Sequence, residues 1–286
     1  MLPSTPQNPP PFRPIVVNAL YAAVERGLAA DLAAARALGG HAYPVCTLLL
    51  MAASGTVTDA TDVPEDTVRA QLEHLAAVAE PNAMKIGVLS SYGAADAVLH
   101  FAESFEGPVV LDLQLSGPSG ETVLTRRGID TVVDRLGVPD LVVVSRTDAE
   151  PLSGGEIHSL DDAQVAAQRL IRRGARRVVI KCGPLPARFF ETEQRTGLAG
   201  DGAGDAAPFN ADLYFDGDEF ALFEAPHLPE GHRDGVSSAF ALVALGALVE
   251  GKQPEEALQE AKRFVTEGLR ASVANGDVMF NYLWNT

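Results

Sequence analysis

The sequence has little cysteine, little positive charge and no long hydrophobic run, and each absence excludes a class of protein. Its two cysteines, Cys46 and Cys182, are too few for a disulfide framework and lack the CxxC spacing of a zinc or redox site. Acidic residues outnumber basic ones by 38 to 22, and the resulting net charge of −16 would repel nucleic acid and anionic membranes. No run reaches the ~20 apolar residues of a membrane span, and the N-terminus lacks a signal-peptide pattern. We therefore expect a cytoplasmic protein whose partner is neither nucleic acid nor a membrane.

The remaining pattern is that of one α/β domain behind a short leader. Residues 1–13 are rich in proline and polar groups, which predicts a disordered leader, and residues 14–286 show no further boundary. Short apolar runs nearly continuous in Val, Ile and Leu are typical of strands buried on both faces of a parallel sheet. These runs are residues 15–17, 43–50, 83–89, 109–113, 141–144 and 177–180.

Amphipathic helical patterns alternate with these runs. They cover residues 21–38, 64–80 and 160–173, and two closing helices are predicted over 237–249 and 254–271. Residues 210–224 alternate around Asp216 and Gly217, which predicts a late β-hairpin. The alternation predicts a three-layer α/β/α domain with a mostly parallel central sheet.

Short motifs in a fixed order resemble one enzyme family. Residues 27–32 read GLAADL beside the family's GIQADLK, residues 85–89 read KIGVL beside KIGML, and residues 179–183 read VIKCG beside VKGG. Further matches are residues 110–112, 119–120 with Leu124, 145–154, the hairpin and 251–265. From about Pro14 to Ala271 the chain thus resembles the hydroxymethylpyrimidine/phosphomethylpyrimidine kinases, ribokinase-like enzymes related to pyridoxal kinases.

This resemblance implies a reaction and its cofactors. Such kinases transfer the γ-phosphoryl group of ATP to a hydroxymethyl pyrimidine, its phosphate or a pyridoxal-like compound, in thiamine or vitamin B6 metabolism. Transfer needs backbone N–H groups at a helix N-terminus, Mg²⁺ held by acidic groups, and a base near the hydroxyl. ATP, Mg²⁺ and a homodimeric assembly are therefore the implied cofactors and partner.

The family's GTGC or GxGD motif falls on altered residues directly before the penultimate helix. Gly235 and Val236 are followed by Ser237, which replaces a glycine where backbone must approach phosphate, and by Ser238 in place of Cys or Asp. A serine hydroxyl has no useful basicity near neutral pH unless another group activates it. Asp234, at the place of the family's histidine, is the candidate substitute base if the loop is rearranged.

A second copy of the motif occurs elsewhere and has the wrong context. Gly202, Ala203, Gly204 and Asp205 spell the ribokinase GxGD, but a hairpin and no helix is predicted after them. No helix N-terminus would then direct N–H groups at a phosphate, which favours a loop. Whether Asp205 or Asp234 replaces the base stays open.

The substrate end of the motif set is more apolar than in the family. Tyr21 replaces the aspartate of the GSDSGGGAG loop, and Ala52 and Ala53 replace the Gln-Asn pair of TALTAQNT. Losing these amide groups should weaken binding of a polar heterocycle edge. The predicted substrate contacts are Tyr21, Met51, Ala52 and Val88.

The metal and nucleotide side is better kept. Asp112, Asp148 and Glu150 match acidic positions near Mg²⁺ and the phosphates, while Lys181 and Gly183 match the nucleotide-binding VKGG. Lys181 also ends a predicted strand, where α/β proteins place their ligand crevice. The acids have another interpretation, since Asp148 and Glu150 could instead cap a helix beginning there. The six histidines show no HxxH or HxxxH pair, so a histidine metal site is not predicted.

Two main functions fit these observations. The ordered motifs favour an ATP-dependent kinase of a hydroxymethyl heterocycle. The changes at the anion hole, the base and the substrate loop favour a member of the same fold that has lost phosphoryl transfer and binds a ligand or partner. A more remote possibility is a transferase that uses Asp234 or Asp205 on another hydroxylic substrate.

Overall fold

The computed structural model describes residues 12–22, 26–53, 56–115, 124–185, 209–228, 234–271, 273–275 and 278–280. Its strands are β1 (Pro14–Ala22), β2 (Tyr43–Ala53), β3 (Thr56–Asp62), β4 (Ala83–Ile86), β5 (Val109–Leu113), β6 (Leu141–Ser145), β7 (Val178–Leu185), β8 (Phe209–Phe215), β9 (Phe220–Pro226), β10 (Val273–Asn275) and β11 (Val278–Phe280). Its helices are α1 (Leu28–Ala37), α2 (Glu65–Val78), α3 (Tyr92–Glu103), α4 (Arg126–Asp134), α5 (Arg146–Ser153), α6 (Leu160–Arg172), α7 (Val236–Val249) and α8 (Pro254–Ala271).

One nine-stranded sheet forms the centre of the molecule, in the order β3-β2-β1-β4-β5-β6-β7-β8-β9. The strands from β2 to β7 in this order are parallel, whereas β3, β8 and β9 are antiparallel to their neighbours. Helices α2 to α6 pack on one face of the sheet and α1, α7 and α8 on the other, each with its own buried apolar cluster. The predicted three-layer α/β fold with a late hairpin is confirmed.

Helix α7 is apolar on all sides because it is enclosed on all sides. It packs between the sheet at β4 and β5 and the helices α1 and α8, and residues 238–245 are all buried. A helix with an apolar surface all round belongs in such a position and not at a water interface. Among the described residues, no helix is both long and apolar enough to cross a membrane.

The sequence pattern misplaced several boundaries. The helix predicted over 21–38 begins only at Leu28, because β1 continues to Ala22 by pairing with β2, with Tyr21 beside Leu50. Strand β3 and helices α3 and α4 were not predicted. At the N-terminus, Phe12 is already buried and its carbonyl accepts a hydrogen bond from the His41 N–H, so packing begins within the predicted leader, whose residues 1–11 lie outside the described chain.

Candidate active site

A pocket of about 290 Å³ lies where the carboxyl ends of β5, β6 and β7 meet the N-terminus of α7. This edge is where parallel α/β sheets bind ligands. The lining residues are Arg26, Gly27, Leu113, Gln114, Ser145, Thr147, Asp148, Lys181, Gly235, Ser237 and Ser238. Five of the residues selected from the sequence thus come together in space: Asp148, Lys181, Gly235, Ser237 and Ser238.

The first turn of α7 gives the pocket an anion-stabilising wall. Gly235 precedes the helix at φ 76°, a left-handed conformation that glycine adopts without strain. The first bonded amide is that of Ala239, which donates to the Gly235 carbonyl at 2.8 Å. The N–H groups of Val236, Ser237 and Ser238 therefore have no intrahelical acceptor, and they add to the positive end of the helix dipole.

Ser237 joins two of the other predicted site residues. Its hydroxyl donates to Asp112 Oδ1 at 2.5 Å and accepts from the Lys181 ammonium. Burial alone would raise the pKa of Asp112, but the charges of Lys181 and Lys85 and the Ser237 hydroxyl together hold that pKa below its usual value. The Ser237 hydroxyl thus accepts a hydrogen bond from the Lys181 ammonium, which would otherwise be available to a phosphate.

Beneath Ser238 lies a buried charge network that sequence reasoning did not identify. The Lys85 side chain is fully buried, and its Nζ lies 2.8 Å from Asp31 Oδ1, 3.5 Å from Asp112 Oδ2 and 3.1 Å from Ser238 Oγ. The Asn18 amide donates to the other oxygen of Asp31 at 2.9 Å. Burial raises the pKa of Asp31, an effect that Lys85 and Asn18 offset only in part. The available signal was a lysine inside an apolar strand, since a charge buried there requires partners.

Two of the three acids matched to a magnesium site, Asp148 and Glu150, have different surroundings. Asp148 lines the pocket and accepts from the Ser145 hydroxyl at 2.8 Å, while Ser145 itself caps α5 by accepting from the Asp148 N–H. Glu150 is outside the pocket lining, and its carboxylate accepts from the Ile157 N–H at 3.1 Å. In the described ranges no group of three or more His, Cys, Asp or Glu could hold a metal ion. Asp148 fits a cation shared with bound phosphates, which needs only one or two carboxylates, and Glu150 does not.

The candidate substitute base Asp234 is held in an ion pair. Its Oδ1 accepts from the guanidinium of Arg26, with Nε at 2.5 Å, and Arg26 in turn lines the pocket. Arg26 therefore occupies Oδ1, one of the two oxygens of Asp234 that could accept a substrate proton. Asp205, the other candidate, lies outside the described residues.

The predicted substrate contacts do not all share one face. Tyr21 and Val88 pack in one buried cluster with Ala19, Leu48 and Leu50. Met51 follows Leu50 in β2, so its side chain points to the opposite face, and it is 41% exposed. For Ala52 only the backbone is described, which pairs with Val57.

A second pocket, of about 460 Å³, adjoins the first and shares Ser145 and Lys181 with it. Its lining is mainly apolar and also includes the predicted nucleotide contacts Gly183 and Val236. The buried pair of Lys262 and Asp212, 2.7 Å apart, lines it as well. The two pockets together offer a polar end beside the α7 N-terminus and an apolar end between the hairpin and α8.

Comparisons of sequence agree with the predicted resemblance. A hydroxymethylpyrimidine/phosphomethylpyrimidine kinase of Aquifex aeolicus (strain VF5) is 25% identical over 248 residues, 86% of this chain and 89% of that protein. The protein of the same name from Streptomyces coelicolor is 28% identical over 251 residues, 87% of this chain and 86% of that one.

Comparisons of structure give the same fold. Pyridoxal kinase from Staphylococcus aureus, in complex with AMP-PCP and pyridoxal, superposes with a TM-score of 0.76 at 22% identity, covering 94% of this chain and 92% of that one. Phosphomethylpyrimidine kinase from Clostridium difficile 630 gives a TM-score of 0.70 at 18% identity, covering 90% and 98%. A family model described as phosphomethylpyrimidine kinase matches residues 26–282, from the start of α1 past the end of α8. With nearly every helix and strand inside that match, the chain belongs to the phosphomethylpyrimidine kinase family.

Proposed function

We propose that this protein transfers the γ-phosphoryl group of ATP to the hydroxyl of a hydroxymethyl heterocycle, either a pyrimidine or a pyridoxal-like compound. The observation that carries the proposal is the pair of pockets that share Ser145 and Lys181 in their linings. Phosphates would lie against the α7 N–H groups and the Lys181 ammonium, and the nucleoside would extend into the apolar pocket. The names of the relatives, which include pyrimidine and pyridoxal kinases, support this class of acceptor.

The residues have distinct roles in this proposal. Lys181 and the first turn of α7 bind and neutralise phosphate oxygens, which is most of what phosphoryl transfer asks of a protein. Mg²⁺, held by Asp148 together with the phosphates, would neutralise further charge, and Asp112 keeps Lys181 beside the pocket. Tyr21 and Val88 remain the proposed walls of the acceptor site.

A second candidate function is ligand binding without transfer. Its supporting observation is that Asp148 is the sole carboxylate among the described residues that line the first pocket, and that Asp234 is engaged by Arg26. None of these lining residues is then an obvious base for the acceptor hydroxyl.

The purified protein should be incubated with Mg-ATP and hydroxymethylpyrimidine, its monophosphate or pyridoxal, and ADP and phosphorylated product measured. Turnover with one acceptor supports the kinase; thermal stabilisation by ATP or an acceptor without product supports ligand binding. Lys181→Met should raise the KM for ATP by about 10-fold to 100-fold, because a hydrogen bond to a charged group is lost. Lys252→Met, whose lysine pairs with Glu250 and Glu260 away from the pockets, is the control.

We further propose a homodimer in the cytoplasm, where ATP is available. An apolar face on β1 and β2 supports the dimer: Leu20, Leu49 and Met51 are each more than 40% exposed, and Leu20 and Leu49 are register partners. Adjacent large apolar side chains in water favour association.

A further inference from the structure

We propose that the Ser238 hydroxyl is a hydrogen-bond donor to the phosphoryl group in transfer, and that Lys85 orients it from beneath the pocket. The inference rests on the proposed function and gives Ser238 a role other than the missing base. Ser238 would be the contact to the reacting group, and Lys85 a positioning residue that acts through it.

The hydrogen bond between Lys85 and Ser238 has only one possible direction. An ammonium has three N–H donors and no acceptor. The Lys85 ammonium has no exposed surface, and its neighbours are Asp31 Oδ1, Asp112 Oδ2 and Ser238 Oγ. Two carboxylates keep the charge on the lysine, because a buried ammonium requires such compensation. The Ser238 oxygen is therefore an acceptor in the bond to Lys85.

The proton of the Ser238 hydroxyl must then go elsewhere. Within the described chain, no protein acceptor hydrogen-bonds to this hydroxyl, and the residue lines the first pocket. An acceptor in the pocket is thus the available partner for the proton. A hydroxyl polarised by an ammonium is a stronger donor than a free one, and it adds to the N–H groups of the α7 first turn.

The same bond argues against Ser238 as a base. To take a proton from the substrate, the serine oxygen would have to pass its own proton to Lys85, which as an ammonium has no lone pair to accept it and lies 2.8 Å from Asp31 and 3.5 Å from Asp112. A donor role requires no such transfer. Ser238 therefore stabilises charge in transfer and leaves the acceptor hydroxyl's proton to another group.

The position of Lys85 is fixed by the strands around it. Asn18 Oδ1 accepts from the N–H groups of Ala19 and Val88, which places its amide nitrogen against Asp31. A Cβ at Gly87 would lie 2.4 Å from Asn18 Nδ2, so glycine there leaves room for this amide. Asp31, and through it Lys85, is thus held by the middle of β1 and by the backbone that follows β4.

The test is a double-mutant cycle in the full-length protein with Mg-ATP and the acceptor that turns over. We expect Ser238→Ala and Lys85→Met each to lower kcat by about 100-fold, the effect of removing one oxyanion donor, with the KM for ATP unchanged. The double variant should be no slower than Ser238→Ala alone, because Lys85 acts through that hydroxyl. Ser238→Thr, which keeps the hydroxyl, should retain most of the activity.

Losses that multiply in the double variant, or full activity of Ser238→Ala, would overturn the inference while leaving the kinase proposal intact. The same variants are also titrated with Mg-ADP and fluoroaluminate, which mimics a phosphoryl group in transfer. If the native protein binds this complex without any turnover, the kinase proposal fails and a role of Ser238 in transfer fails with it; equal and non-additive weakening in both variants would then leave only a hydrogen bond from Ser238 to a bound phosphate. If the native protein neither turns over nor binds the complex, both fail.

Lys85→Met leaves Asp31 without its ammonium and could prevent folding. Circular dichroism melting curves are therefore recorded for each variant. The double substitution Asp31→Asn with Lys85→Met removes the unpaired carboxylate. The second cycle compares this double variant with Asp31→Asn alone, and each of the two is made with and without Ser238→Ala. It therefore repeats the test in a protein that lacks the ion pair between Asp31 and Lys85. Additive losses in this second cycle would also overturn the inference.

Discussion

At the scale of single residues, two serines determine what the pocket can do. The Ser237 hydroxyl accepts a hydrogen bond from Lys181 and donates one to Asp112. The Ser238 hydroxyl accepts one from Lys85, at the position where the family has a cysteine or an aspartate. Both hydroxyls lie at the positive end of a helix dipole. These positions favour anion binding and provide no group that takes up a proton at neutral pH.

Ser238→Cys should create a reactive thiolate. A thiol beside the Lys85 ammonium and a helix N-terminus has its pKa lowered, so the thiolate forms as the pH rises through a value below that of a free thiol. Absorbance at 240 nm as a function of pH measures the pKa of the thiol, and the rate of alkylation by iodoacetamide at pH 7 measures its reactivity. Cys182 is the internal control, because burial raises its pKa to about 12 and it should not react in the native protein. The native protein is measured in parallel, so that the signal of the partly exposed Cys46 is subtracted. A new thiol that titrates at about 8.5, as a free one does, would contradict the prediction.

Ser237→Gly should strengthen binding of a non-hydrolysable ATP analogue. Without the serine hydroxyl, Lys181 is free to bind phosphate and the backbone can be approached more closely. Ser237→Ala is the matched control, since it removes the hydroxyl and keeps the Cβ. Isothermal titration should rank the affinities Gly above Ala above Ser; a glycine variant that binds more weakly than the native protein would show that the hydroxyl contacts the ligand.

At the scale of elements, α7 connects the core to the pocket. It is buried along its length, and it begins after Gly235 and ends before Gly251, which both have positive φ. Its burial fixes the direction in which its N–H groups point. Substitutions at the two ends of α7 should therefore have unequal effects on ligand binding.

Gly235→Ala and Gly251→Ala should cost similar stability but differ in ligand binding. An alanine in the left-handed region costs about 1 kcal/mol at either position. Only Gly235 lines the pocket, so only its substitution should weaken ATP-analogue binding. Chemical denaturation gives the stabilities and calorimetry the affinities; equal losses of affinity would mean that the first turn of α7 does not contact the phosphates.

At the scale of the whole molecule, the sequence predicted the layers better than the site. Strands β5 and β6 and helices α7 and α8 were found within a residue because their apolar patterns are continuous. Strand β3 was not predicted, because it is an edge strand whose sequence, TVTDATD, carries charge and buries little side-chain surface. The Lys85 network was not predicted, because its members lie on β1, α1, β4, β5 and α7 and are brought together only by folding.

The proposed dimer should depend on the exposed face of β1 and β2. Sedimentation of the native protein should give twice the 30.1 kDa of one chain, and Leu49→Lys should give the monomer, because a charge in an apolar contact is costly. Val78→Lys, on an exposed residue of α2, is the control and should leave the dimer unchanged. A native protein that sediments as a monomer would contradict the proposal.

The strand order also bears on how the nascent chain assembles on the ribosome. From β4 to β9, each new strand docks beside the one synthesised just before it, so this part of the sheet grows at one edge in the direction of translation. Helix α7 packs instead against α1, β4 and β5, which emerge much earlier. A growing polypeptide therefore completes the proposed phosphate-binding turn of α7 only after nearly all of it has been translated.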